Sequence, residues 1–599
     1  MASQTRKQLI EDLKRVFSLD LRSLTCFRIL LGLVLLVDLL DKWWSLESFF
    51  TDFGMIPREA IVALSPKSLY YSIHFFSGHL FFQNLLFILN TVIILAFIFG
   101  YQTRIMTFLC WFFYVSMINR DPIITHGGDV VVRMILFWSM LIPLGIHYSM
   151  DAALQKHKYP ARQLLSPGTI GLTMQILLIY FFSGLLKNDT AWNGEGNAIA
   201  YALQLENFAS PIGIFLRKFP VFLQFLTYST ALLEALGPVI AMIAFQKPLS
   251  RIIVIFAFMS LHFGIFLAMN IGLFPWMCLA AWTVFLPGEF WDWIERKLPK
   301  QTGAGVHIYF DADCGFCKKA VYILRHLLML GDAKISEGQL NSTIFEKMQQ
   351  ENSWIVMDVD GRLTKGYDAF LILIRQSNFF RMLYPMLRSK PVHFIGSKIY
   401  RWVSTHRGQA GRITAPLQWN QKMYHYSKFS VWFACLSIII ILLNNIASII
   451  PEKSPLQSSF STPEYLMPIQ KILRIDQKWN MFAPHPTRTN KWIIISGKRF
   501  SGQEASVIML EPLTVVDGQE VLQQAKVSHR WTKLLTNMTD SDYEDYVKFF
   551  GRYICRKMKR DMKDSERLET FSIKVISQKT SLGAPNEKKE RIAWQHQCR

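Results

Sequence analysis

Two cysteines three positions apart, Cys314-Gly-Phe-Cys317, are the residues whose spacing most directly implies chemistry. Residues 306–310 read as a short buried strand, 311–317 as a turn and 318–330 as an amphipathic helix. Strand, Cys-x-x-Cys, helix is a redox arrangement. The first thiol stands at a helix start, where backbone N–H groups and the dipole favour thiolate, and the second can resolve a mixed disulfide. Asp311 and Asp313 flank the pair. Asp311 is positioned to relay a proton, although a negative neighbour also opposes thiolate formation. Two incidental buried cysteines are the alternative. No second Cys pair or His pair follows at zinc spacing, so no metal is expected.

The second chemical signal is Tyr180-Phe-Phe-Ser-Gly-Leu-Leu-Lys187-Asn-Asp189-Thr-Ala-Trp192, an apolar run ending in a lysine, a carboxylate and a tryptophan. A membrane helix can end this way because Lys snorkels and Trp prefers the interface. The sharper reading is a base, since apolar surroundings favour the neutral amine. Apolar runs near 24–40, 80–99, 104–118, 130–148, 168–187, 221–245, 250–269 and 271–287 are candidate spans. If they alternate, the basic loops with Arg104, Lys156, Lys158, Arg162, Lys247, Arg251, Arg296 and Lys297 share the side of the basic N-terminus. The positive-inside rule makes that side cytoplasmic. His126, Asp129, Lys187, Asp189, Trp192 and Asn270 then share the other side, with His262 and Glu234 inside spans, and these residues can line one outward-facing pocket. Ionisable groups within spans, including Arg28, Asp38 and Arg133, need partners there. For Glu234 a buried structural bond and a functional role stand level, and Pro238 suggests a bent helix nearby.

Composition agrees with a mixed architecture. The 599 residues are 51% hydrophobic and 14% aromatic, with mean hydropathy +0.21, too apolar for an ordinary soluble enzyme. A net charge of +21 is spread over loops and the last third, so the lipid bilayer explains it better than nucleic acid, and no nucleic-acid partner is expected. Residues 6–22 read as a surface helix, and the first apolar run as a retained anchor with no small-residue cleavage pattern.

Taken together, Phe181-x-Ser-Gly-Leu-Leu-Lys187-x-Asp189-x-x-Trp192, Asn119-Arg-Asp-Pro-x-x-x-His126-Gly-Gly-Asp129, Glu234, Leu261-His262 and Asn270-Ile-Gly-Leu-Phe-Pro275 resemble the HTTM family. That is the membrane domain shared with vitamin K-dependent gamma-glutamyl carboxylase. The resemblance implies that Lys187 deprotonates a reduced, vitamin K-like quinone and that His126 assists. The oxygenated product would then take a proton from glutamate, and carbon dioxide would add to the carbanion. Tyr309-Phe-Asp311-x-x-Cys314-x-x-Cys317, Trp354-Ile-Val-Met-Asp-x-Asp-Gly361, Gly366-x-Asp368-Ala369 and Tyr400-Arg-Trp402 resemble the DCC family of thioredoxin-like thiol-disulfide oxidoreductases. This implies a catalytic dithiol. Unlike thioredoxins, no proline precedes the 354–358 strand, which leaves protein-disulfide exchange less assured than thiol chemistry itself.

The expected architecture is a multi-pass α-helical membrane bundle, an inserted thioredoxin-like α/β domain and a C-terminal extramembrane β-containing domain. Its parts are 1–300 with about eight spans, 301–410 for the dithiol domain, 411–450 for a linker and ninth span, and 451–599 for the C-terminal domain. In the last part 491–496 and 505–510 read as a hairpin, and Cys555 with Cys598 can pair. Asp476-Gln-Lys-Trp479-Asn-Met-Phe-Ala-Pro484 is similar to other HTTM-linked C-terminal segments. Two functions stay open. One is a membrane redox enzyme with a quinone near Lys187 and a polypeptide substrate outside. The other is a maturation, assembly or transport platform in which only the dithiol domain is catalytic. The expected location is a bacterial inner membrane, with the N-terminus and dithiol domain cytoplasmic and the C-terminal domain opposite.

Overall fold

The computed structural model describes residues 2–64, 71–155, 161–298, 303–416, 419, 426–451, 454–509, 513–517, 521, 528–540, 543–583 and 587–598. Lys156 and Lys158, on which the charge-parity expectation partly rests, lie outside the described residues, as does the end of the expected hairpin at Leu510. Six described helices are long and apolar enough to cross a membrane: Leu21–Trp44, Leu80–Phe99, Pro167–Leu186, Pro220–Ala244, Pro248–Ala268 and Lys428–Ile449. Such lengths mark a membrane protein.

Three of the expected spans differ from these. The run 104–118 forms the helix Thr103–Arg120, which does not reach the apolarity of the six. Only Gly127–Ser139 is helical in 130–148, and only Phe274–Trp282 with a 3₁₀ turn Thr283–Phe285 in 271–287. A helix of 13 residues is about 20 Å long, short of the roughly 30 Å hydrocarbon core. Val131 to Ser139 are all buried, as are most residues of 274–285. These helices are apolar because protein surrounds them, and hydropathy alone does not separate a core helix from a lipid-facing one.

The helices still run between two ends. At one end Arg22 pairs with Asp20, Asp292 and Glu295, and Arg28 donates to the carbonyls of Leu144 and Tyr148. At the other end stand Lys42, Arg120, His126, Lys187 and the turn after Ala268.

The dithiol domain has a core of its own, built from Val306, Ile308, Phe310, Val321, Val356 and Leu373 among others. Its four strands lie in the order Lys334–Glu337, His307–Phe310, Ile355–Met357, Leu363–Lys365; the first pair is parallel and the other two antiparallel. It packs on the bundle where Tyr148 meets His326.

The C-terminal region is a five-stranded antiparallel sheet. Thr489–Arg499 pairs with Leu568–Lys579 and Glu504–Ile508, which is the expected hairpin, and Thr514–Asp517 and Lys588–Gln597 form the edges. The helices His529–Asn537 and Glu544–Asp561 accompany it, and Cys555 is disulfide-bonded to Cys598. Trp479, Trp531, Phe550 and Ile493 share one continuous core with the membrane bundle. This region therefore caps the Lys187 end and is not a detached domain.

Candidate functional site

Cys314 is the N-cap of the helix Gly315–Leu327, reached directly from the strand His307–Phe310. Asp311 builds the turn between them: its carbonyl accepts from Cys314 N at 3.2 Å, and its carboxylate accepts from Asp313 N at 3.2 Å and Gln339 Nε2 at 2.8 Å. Cys314 and Cys317 are disulfide-bonded, and Cys314 Sγ accepts from Cys317 N at 3.2 Å. A cleft of about 610 Å³ opens over Cys314, lined by Asp311, Asp313, Cys314, Lys319 and Arg407. The two cations of that lining, Lys319 and Arg407, are matched by the carboxylates of Asp311 and Asp313, so the helix start, and not a net positive cleft, is what favours a thiolate. On the other face of the same helix an apolar groove of about 600 Å³ begins at Phe316 and Cys317. The dithiol thus stands between a polar and an apolar approach.

At the far end Lys187 caps the C-terminus of Pro167–Leu186 and is 4% exposed. Its ammonium pairs with Glu234 and donates to Ser183 Oγ at 2.7 Å, while Ser183 Oγ donates to Glu234 at 2.8 Å. The Trp192 ring lies 5.1 Å from the Lys187 nitrogen, and Trp192 Nε1 donates to Phe482 O at 3.0 Å. Gly184 makes this triangle feasible. A Cβ there would stand 2.6 Å from Ala235 Cα and 2.7 Å from the Glu234 carbonyl carbon, so only glycine lets Pro220–Ala244 come this close. Asp189 caps the turn Thr190–Asn193, accepting from Ala191 N at 2.9 Å, and faces Arg488 at 3.5 Å.

The other expected pocket residues fall into separate groups. His126 and Asp129 form the capping box of Gly127–Ser139. Asp129 accepts from Arg530 at 2.6 Å and from Tyr114 OH at 2.8 Å; Arg530 also reaches Asp38 at 2.6 Å, and Lys42 pairs with Asp38. His126 meets His529 edge to face, with ring centres 4.8 Å apart. Burial pushes the His529 imidazole down to about 4, and Arg530 beside it adds to the shift. His262 is hydrogen-bonded to Tyr180 OH at 2.6 Å, which also accepts from Trp282 at 2.8 Å. Asn270 is exposed, its backbone N–H bonded to Phe208 O at 2.6 Å. Among the described residues no hydrogen bond or ion pair joins His126, Asp129, His262 or Asn270 to Lys187. Glu234 and Trp192 are the expected residues gathered around it, while Asp189 turns to Ala191 N and Arg488.

The segment 474–483 threads over this end. Asp476 holds Arg133, Gln477 Oε1 accepts from Gln175 Nε2 at 2.7 Å, Trp479 Nε1 donates to Gln477 at 2.9 Å, and Met481 packs on Gly127. Sequence reasoning singled out Asp38 and Arg133 as needing partners but did not find Lys42, Ser183, Gln175 or Arg530. Lys42 lies four residues after Asp38 and was open to a helical-spacing argument. Arg530 stands 401 positions from Asp129, with no local signal linking them.

With this geometry in hand, residues 18–293 match the HTTM domain and residues 308–412 match the DCC1-like thiol-disulfide oxidoreductase. No curated protein and no solved structure matches the chain.

Proposed function

We propose, from an HTTM domain and a DCC1-like thiol-disulfide oxidoreductase joined in one chain, that this is a membrane-bound redox enzyme whose working centre is the Cys314–Cys317 couple. The observation that carries the reading is the pair itself, bonded at a helix start and open to the cleft of about 610 Å³. A thioredoxin-like fold for this domain is supported by its strand order and by the strand–dithiol–helix sequence. In the reduced form the Cys314 thiolate attacks one sulfur of a substrate disulfide. The other sulfur leaves with a proton, and Cys317, losing its own proton, attacks Cys314 Sγ to release the second substrate thiol. Two electrons and two protons pass to the substrate while the enzyme disulfide forms.

The buried Lys187–Ser183–Glu234 triangle against Trp192 supports a second centre. A reduced, vitamin K-like quinone bound there would supply an acidic hydroxyl. Lys187 fits the role of base: transfer of its proton to Glu234, directly or through Ser183, leaves a neutral amine able to take that hydroxyl proton. Carboxylation of a polypeptide held under the C-terminal cap is the fullest form of this reading. Its competitor is a maturation, assembly or transport platform in which the triangle is purely structural. We place the protein in a bacterial inner membrane with the dithiol end cytoplasmic. The Cys555–Cys598 bond at the opposite end is in keeping with an oxidising compartment there.

The test uses full-length protein in nanodiscs, pre-reduced and then mixed with dithiobisnitrobenzoate or with a short-chain naphthoquinone. Wild type is expected to give a fast two-electron phase that Cys314→Ser lacks, above the slower background of other thiols such as the exposed Cys435; equal fast phases in both remove the dithiol from the reaction. Loss of quinol oxidation under oxygen in Lys187→Ala, with thiol transfer intact, would mark the second centre as chemical.

A further inference from the structure

The dithiol domain carries an apolar surface that its own core leaves uncovered. The helix Lys390–Thr405 packs one face on Gly366–Gln376, with Gly396 against the Tyr367 ring and His393 hydrogen-bonded to Asp368 at 2.8 Å. On another face Phe394, Ile395, Ile399 and Trp402 remain 60, 56, 59 and 59% exposed, and Phe379, Met382 and Met386 extend the patch at 63, 80 and 55%. A contiguous apolar area of this kind on a domain outside the bundle marks a contact surface.

Charge says what the surface contacts. Between Asp368 and Glu452 the sequence has no acidic residue, while 375–412 holds eight lysines and arginines. Lys390 and Arg401 lie along one edge of the apolar arc of the helix, and Lys398 stands within it, its ammonium 4.4 Å from the Phe394 ring centre. An apolar stripe edged by basic residues suits the headgroup region of an anionic bilayer. The chain path supplies the bilayer. It enters the domain from Gly288–Lys297, just after the bundle helix ending at Phe285, and leaves into the span Lys428–Ile449. That span opens with Phe429 and Trp432 exposed. Both connections therefore emerge at the same end of the membrane domain.

We propose that residues 379–405 lie on the anionic membrane surface and seat the dithiol domain there. The apolar groove of about 600 Å³ shares Ile395 and Ile399 with this face and has Cys317 in its wall. Seating brings its mouth to the lipid, so an apolar, membrane-dissolved substrate could approach the dithiol without crossing water. The surface assignment itself does not depend on the redox reading.

The test places the photocrosslinker benzoylphenylalanine at Phe394 in the full-length protein, with the exposed Leu340, beside the opposite edge strand, as control. The protein is irradiated in nanodiscs of pure phosphatidylcholine and in discs containing phosphatidylglycerol, and adducts are read by mass. Lipid adducts at 394, several-fold above those at 340 and several-fold higher with phosphatidylglycerol, are expected. Lys390→Glu, Lys398→Glu and Arg401→Glu together should return the yield to the phosphatidylcholine value. Equal yields at 394 and 340, or equal yields in both lipids, overturn the proposal. So do adducts at 394 to a second copy of the chain in place of lipid.

Discussion

The two ends of this molecule handle reactive groups in opposite ways. At the Lys187 end the charged side chains of the candidate site are answered: Lys187 by Glu234 and Ser183, Asp129 by Arg530 and Tyr114, Asp38 by Arg530 and Lys42. A C-terminal cap closes over them and shares the bundle's core. At the dithiol end the reactive pair sits between two open clefts, on a domain whose core is separate. Charges in a low-dielectric interior must be paired whether or not they do chemistry, so pairing by itself does not identify a base. A dithiol at a helix start, facing solvent and apolar space, has no comparable structural duty.

This contrast can be broken or sharpened by substitution. The largest effect is expected from Cys314→Ser, which should reduce thiol-disulfide transfer to the uncatalysed background while leaving thermal unfolding in detergent unchanged. Removing one member of the buried pair, as in Glu234→Gln or Lys187→Ala, should destabilise the membrane domain by about 3–5 kcal/mol without touching thiol transfer. Replacing both by Met should recover most of that stability. If the double variant still supports every activity of the wild type, Lys187 is a structural charge and chemistry is confined to the dithiol end.

Next in size is the loss of the Cys555–Cys598 bond, which spans 43 positions and ties Glu544–Asp561 to the edge strand Lys588–Gln597. Cys555→Ala with Cys598→Ala should loosen the cap by about 2–4 kcal/mol, seen as earlier unfolding of the C-terminal sheet. Dithiol turnover should be unaffected.

The smallest effect concerns pH and touches both ends alike. His529 belongs to the cap, where it meets His126, and His147 lines the cleft between bundle and dithiol domain; burial holds each imidazole down at about 4, against an ordinary 6.5. Between those values the unfolded state binds protons that the folded state refuses. Their contribution is therefore fully present above about pH 6.5 and is lost as pH falls toward 4. Hydrogen exchange, corrected for its intrinsic pH dependence, should show both seats loosening on acidification. His529→Gln should flatten the response at the cap only.

Much of this was legible in the chain. Cys-x-x-Cys between a strand and an amphipathic helix is a local pattern, and local geometry places Cys314 at the helix start. The six long apolar helices follow from length and composition. The pairing of Thr489–Arg499 with Glu504–Ile508 follows from two β-branched runs around a turn. Gly127–Ser139 and Phe274–Trp282 read as spans because a helix buried in protein and one buried in lipid meet equally apolar surroundings.

Which residues can react and which segments can enter a membrane is written locally in the chain, since both depend on neighbours a few positions away. How the charges are shared follows from packing. It set Lys187 against Glu234 through the close approach at Gly184, and it gave Asp129 a partner in Arg530 and His126 a neighbour in His529, both from far along the chain. Which carboxylate meets which cation depends on the distances that packing imposes, and those distances are set by contacts between segments 47 positions apart for Lys187 and Glu234 and 401 apart for Asp129 and Arg530.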